Sequence, residues 1–72
     1  MDYSKARYTV FDGRGQIVGR IDEDEYVRQG EHLIYRIDGA EVYEISGEFL
    51  AVIQGGVAMK PNGQTLFTIG NE

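Results

Sequence analysis

LIYRIDGAEVYEISGE (33–48), FLAVIQGGVAMKPNGQ (49–64) and the shorter TLFTIGNE (65–72) align without a gap at a period of 16 residues. The alignment sets Ile34, Leu50 and Leu66 in one column and Ile37, Ile53 and Ile69 in another, with turn-forming residues directly after. An aliphatic column followed by a turn, written repeatedly, describes one strand-turn-strand unit and predicts an all-β chain of three to four short antiparallel hairpins. The two columns are the expected core.

Within the second unit the Asp38-Gly39 pair suits a two-residue turn, because both residues tolerate positive φ. That turn sets Ile37 opposite Ala40, Arg36 opposite Glu41 and Tyr35 opposite Val42. In the third unit a Gln54-Gly55 turn sets Val52 opposite Val57 and Leu50 opposite Met59. Both faces of this hairpin are apolar, so a neighbour or a second chain is expected to cover one of them. The first unit runs from Tyr8 through a longer loop at Asp12-Gly13-Arg14-Gly15 and returns through Gln16 to Ile21, with Val10 opposite Ile17 and Phe11 opposite Gln16.

Two irregularities interrupt the period. DEDEYVRQGEH (22–32) reads as an insertion between the first and second hairpins, its acidic run 22–25 as a solvated loop or a first helical turn. The fourth unit has one arm only, ending at Ile69, and leaves a strand edge that either the segment 2–6 or another subunit must cover.

The units FDGRGQIVGRI, IDGAEVYEI and IQGGVAMKP, with the closing FTIGNE, resemble the small bacterial four-fold β-flower family. That resemblance implies four hairpins arranged radially about a pseudo-four-fold axis. It carries over no active-site residue, since the family has no assigned function.

At 72 residues the chain is a single domain, residues 1–72, near the lower size limit for independent folding, where only about 60% of the unfolded surface can be buried. Having no cysteine, it lacks disulfides as a support, which leaves oligomerisation as the expected one. The same composition suits a cytoplasmic setting. A net charge of −5 opposes a phosphate backbone and argues against nucleic acid as a partner. No apolar run approaches the roughly 18 residues of a membrane span.

Chemistry-bearing constellations are missing from the sequence. The acidic run 22–25 lacks EF-hand spacing, with Val27 at the sixth position and Leu33 at the twelfth. His32 is the only histidine, a poor basis for a zinc site. Gly13-Arg14-Gly15 precedes strand-like residues rather than a helix, so it is no phosphate loop. Asp12 and Asp38 read as turn stabilisers. No catalytic residue, metal or cofactor is implied, and the chain is not expected to be an enzyme.

The expectation is a non-enzymatic structural or protein-interaction module that self-associates or binds another protein. A small-molecule binder using an axial pocket between hairpins is the second reading. The candidate partner contacts are Tyr26, placed in the insertion with no strand to serve, His32 and Tyr3.

Overall fold

Runs rich in β-branched and aromatic residues become eight strands in the computed structural model, which describes residues 3–71. They are β1 (Arg7–Phe11), β2 (Ile17–Asp22), β3 (Tyr26–Gln29), β4 (His32–Asp38), β5 (Glu41–Glu44), β6 (Phe49–Gln54), β7 (Val57–Met59) and β8 (Thr65–Asn71). A 3-10 turn, Tyr3–Lys5, precedes them. Each strand pairs antiparallel with the next and β8 returns to β1, closing an eight-stranded barrel. Closure removes the strand edges that would otherwise invite uncontrolled pairing.

Closure corrects two expectations. The partner of β8 is β1, with Val10 opposite Ile69 and Phe11 opposite Thr68, rather than the segment 2–6. Of that segment, Asp2 lies outside the described residues and Tyr3–Lys5 forms the 3-10 turn. Nor is 22–32 an insertion: it supplies β3, which bridges β2 and β4. The barrel closes through this strand, because β2 and β4 each pair with β3 and not with each other.

Hairpin registers also differ from the expected ones. Ile37 lies opposite Val42 and Asp38 opposite Glu41, so the turn is Gly39-Ala40. Similarly Ile53 lies opposite Ala58 and Gln54 opposite Val57, with the turn at Gly55-Gly56. Gly39 and Gly55, with left-handed φ of +65° and +57°, take the first turn position rather than the second, and Gly56 at +79° follows Gly55. A displacement of two residues along the partner leaves every side chain on its expected face. In the first hairpin Val10 lies opposite Gly19 and Phe11 opposite Ile17, because a bulge takes up Val18.

Comparable bulges interrupt the β3–β4, β5–β6 and β7–β8 ladders. The residues they take up are Val18, Ile34, Leu50 and Leu66, which stand 16 apart in the sequence and are all half-buried against the core. The column Ile34, Leu50, Leu66 thus supplies bulge residues, while Ile37 and Ile53 are buried in the barrel. Three of the turns that follow the odd strands share one hydrogen-bond pattern. The N–H groups of Asp12, Glu44 and Lys60 donate to the carbonyls of Gln16, Glu48 and Gln64, all at 2.8 Å. The β3–β4 connection is tighter, with Gly30-Glu31 between the paired Gln29 and His32.

The interior is filled by side chains in an ordered way. Val10, Val27, Val42 and Ala58 on the odd strands each pair on one side with an isoleucine: Ile69, Ile21, Ile37 and Ile53 respectively. On the other side they pair with Gly19, Tyr35, Ala51 and Phe67. In this last set two large residues alternate with two small ones around the barrel. Tyr35 on β4 and Phe67 on β8 face each other across the axis, ring centroids 5.4 Å apart, and Gly19 and Ala51 leave them the room. Filling a narrow barrel in this way is how eight strands close without a central hole. Full burial of Phe67 alone contributes about 1.5–3 kcal/mol.

Candidate functional site

The acidic run 22–25, which draws attention in the sequence, is divided among three arginines. Asp22 and Glu23 reach Arg7 at 3.0 and 3.7 Å, Glu25 reaches Arg36 at 3.5 Å, and Asp24 pairs with Arg28. Asp24 also accepts the Tyr26 N–H at 3.1 Å, which shapes the turn into β3. The four carboxylates therefore tie the β2–β3 turn to three strands, Asp22 and Glu23 to β1, Asp24 to β3 and Glu25 to β4. Among the described residues no group of three or more His, Asp or Glu side chains converges as metal ligands.

Asp12 behaves as a turn residue. Its Oδ1 accepts the N–H groups of Gln16 and Arg14 at 3.0 and 2.8 Å, and these bonds hold its carboxyl below the ordinary aspartate value. Asp38 lies 3.8 Å from the Arg36 guanidinium, which also sits 5.9 Å over the Tyr43 ring. The Arg36 pairing expected with Glu41 is replaced by Tyr43 as its cross-strand neighbour. Tyr43 in turn donates to Glu41 at 3.1 Å, and that bond, with burial and nearby carboxylates, raises its phenol above the ordinary value.

The three residues proposed as contacts lie in different environments. Tyr3 is 8% exposed and meets Tyr8 edge to face at 5.4 Å, stoppering one end of the barrel. A hollow of about 290 Å³ remains there, lined by Tyr3, Tyr8, Ala40, Ile53, Gly55 and Ile69. Tyr26 is half-buried and does have a strand, β3, where it lies opposite Arg36. His32 is exposed at the start of β4, opposite Gln29. The fold does not assemble these three into one surface patch: Tyr3 belongs to the core.

The outer face of β6 and β7 does form a patch. Strand alternation sends Ala51, Ile53 and Ala58 inward and leaves Val52 and Met59 outside, directly opposite each other and 38% and 45% exposed. With half-buried Val57 and with Pro61 they line a depression of about 550 Å³, whose polar members are Gln54 and Lys60. No carboxylate lines it, although the chain carries twelve. The sequence marks this hairpin as apolar on both faces. It does not show that Lys60 and Pro61, beyond the strand end, complete the rim, since that depends on how the chain leaves β7.

Compared with protein-family models, curated proteins and solved structures, the chain matches none. Among the described residues, no helix is long and apolar enough to cross a membrane.

Proposed function

We propose that this chain is a non-enzymatic interaction module that pairs with a second copy of itself through the outer face of β6 and β7. The observation that carries the reading is the exposed Val52–Met59 pair in an apolar depression free of carboxylates. A two-fold axis through this pair makes the contact self-complementary, Val52 of each copy meeting Met59 of the other. Charge supports a second copy as the occupant. Lys60 rims the β7 side, while Glu41 lies opposite Val52 on the β5 side, so the same axis brings Lys60 of one copy toward Glu41 of the other. Two chains of net charge −5 repel each other at long range, and none of the carboxylates responsible lines this depression.

We further read the barrel as a four-fold repeat of 16-residue units, in keeping with the resemblance to the β-flower family. The spacing of Val18, Ile34, Leu50 and Leu66 and the recurring turn hydrogen bonds support that reading. The cysteine-free composition fits a cytoplasmic setting.

Sedimentation equilibrium tests the dimer. The expected mass at tens of micromolar is twice the 8.1 kDa of one chain, falling to that of a single chain in Val52→Lys, whose side chain is exposed enough to leave the fold intact. A wild-type protein that stays at 8.1 kDa up to roughly 100 μM, or a Val52→Lys variant that still dimerises, overturns the proposal.

A further inference from the structure

Across the barrel from β6 and β7, on β2 and β3, the outer face carries a different arrangement. Arg20 lies opposite Arg28 in the β2–β3 ladder and opposite Thr9 in the β1–β2 ladder, so a threonine and two arginines stand in one row over three strands. Like charges placed directly opposite each other weaken a sheet. Arg28 is half-buried and neutralised by Asp24, whereas Arg20 has no carboxylate within ion-pairing distance among the described residues. Of the two arginines in this row, Arg20 thus remains uncompensated.

The row borders a cleft of about 500 Å³. Ile17 and Val18 give it an apolar wall, Thr9 and Gln29 supply a hydroxyl and an amide, and Gly19 and Gly30 leave backbone open at its floor. The cleft follows from the local chain. Gly19 sits so close to β3 that a Cβ there would lie 2.4 Å from the Arg28 carbonyl oxygen, and the β2–β3 ladder holds only two residue pairs. The ladder ends at Arg20 and Arg28, and Val18 and Gly19 on β2 and Gln29 and Gly30 at the end of β3 line the cleft.

We infer that this cleft is a binding site for a small carboxylate with an apolar body. Arg20 presents a planar fork that matches a carboxylate with two parallel hydrogen bonds, and a single free positive charge suits a monoanion better than a phosphate dianion. The Thr9 hydroxyl and the Gln29 amide are placed to take further polar contacts, and the Ile17–Val18 wall receives the apolar part of the ligand. The site lies on the opposite side of the barrel from the proposed dimer face, so either can fail without the other.

Titration of benzoate into the ¹⁵N-labelled protein, followed by amide chemical shifts, tests the assignment. Expected are saturable shifts at Thr9, Gly19, Arg20, Arg28 and Gln29, with a millimolar dissociation constant, on the order expected for so small a ligand. Benzamide, which keeps the shape and lacks the charge, produces none of them. In Arg20→Gln, an exposed position whose change leaves the barrel intact, binding weakens at least about tenfold. Shifts that do not saturate, equal shifts with benzamide, tighter binding of inorganic phosphate, or unchanged affinity in Arg20→Gln each overturn the inference.

Discussion

The β2–β3 and β6–β7 hairpins occupy opposite sides of one barrel and differ in what they show to each side of the sheet. Inside, they are nearly alike: Ile21 pairs with Val27 and Ile53 with Ala58, all buried. Outside, the corresponding cross-strand pairs are Arg20 with Arg28 and Val52 with Met59. The inner pairs answer to closure, since each must fill its share of a narrow interior at crystal-like density. The outer pairs answer to solvent and partners alone. One scaffold therefore presents a charged cleft on one side and an apolar depression on the other without any change in its core.

The comparison is most open to attack at Gly19 and Ala51, which hold equivalent places in the two hairpins and leave room for Tyr35 and Phe67. At Gly19 an added Cβ meets the Arg28 carbonyl oxygen at 2.4 Å and the Val27 side chain at 3.2 Å, and backbone cannot step aside cheaply. Gly19→Ala is expected to cost about 3 kcal/mol in urea denaturation, the upper part of the usual overpacking range. Ala51→Gly removes one methyl group and adds chain freedom, for a loss of about 1 kcal/mol. Equal losses at the two positions would mean that the two halves of the barrel are interchangeable and that the β2–β3 approach is not specially close.

A smaller effect separates the two turns. Asp24 receives the Tyr26 N–H on one oxygen and the Arg28 guanidinium on the other, whereas the β6–β7 turn is made of Gly55 and Gly56 with no side chain to brace it. Asp24→Asn keeps the backbone acceptor and removes the ion pair, so the expected loss is about 1 kcal/mol, at the upper end for a pair this exposed. The loss should shrink in Arg28→Gln, and a double-mutant cycle reads that coupling directly. Additive losses would assign Asp24 a turn role alone.

What could be read from the sequence follows the same division. Strand type, the buried Ile37 and Ile53 and the two-faced apolarity of β6 and β7 are legible because each depends on alternation within a few residues. The segment 22–32 is not, because its turn signals are displaced. Glu23 stands where Gly39 and Gly55 stand 16 and 32 residues later, and Gly30 stands one residue short of alignment with Gly47 and Gly63. With its glycines hidden, a strand-turn-strand unit looks like an acidic insertion, and Arg20 and Arg28 never meet on paper. The registers of the second and third hairpins differ by two residues from the expected ones for a related reason: the sequence shows that glycine belongs to a turn, and only the φ angles show at which turn position.

Glu23 itself supplies the finest test of the comparison. Its φ of +58° is nearly that of Gly55 at +57°, and it is the only non-glycine residue with positive φ among the described residues. A side chain in this left-handed region costs about 1–2 kcal/mol. Glycine relieves the cost but adds freedom to the unfolded chain, which takes back roughly 0.5–1 kcal/mol. The contact Glu23 makes with Arg7, at 3.7 Å between side chains that are both mostly exposed, is worth little. Glu23→Gly should therefore stabilise the protein by about 0.5 kcal/mol, read as a higher urea midpoint with an unchanged slope. The converse, Gly55→Glu, places the same strain in the opposite hairpin and should lower the midpoint. If Glu23→Gly instead destabilises, the glutamate is retained for an interaction stronger than its backbone strain, and the β2–β3 turn is then held by its side chains where the β6–β7 turn is held by its backbone.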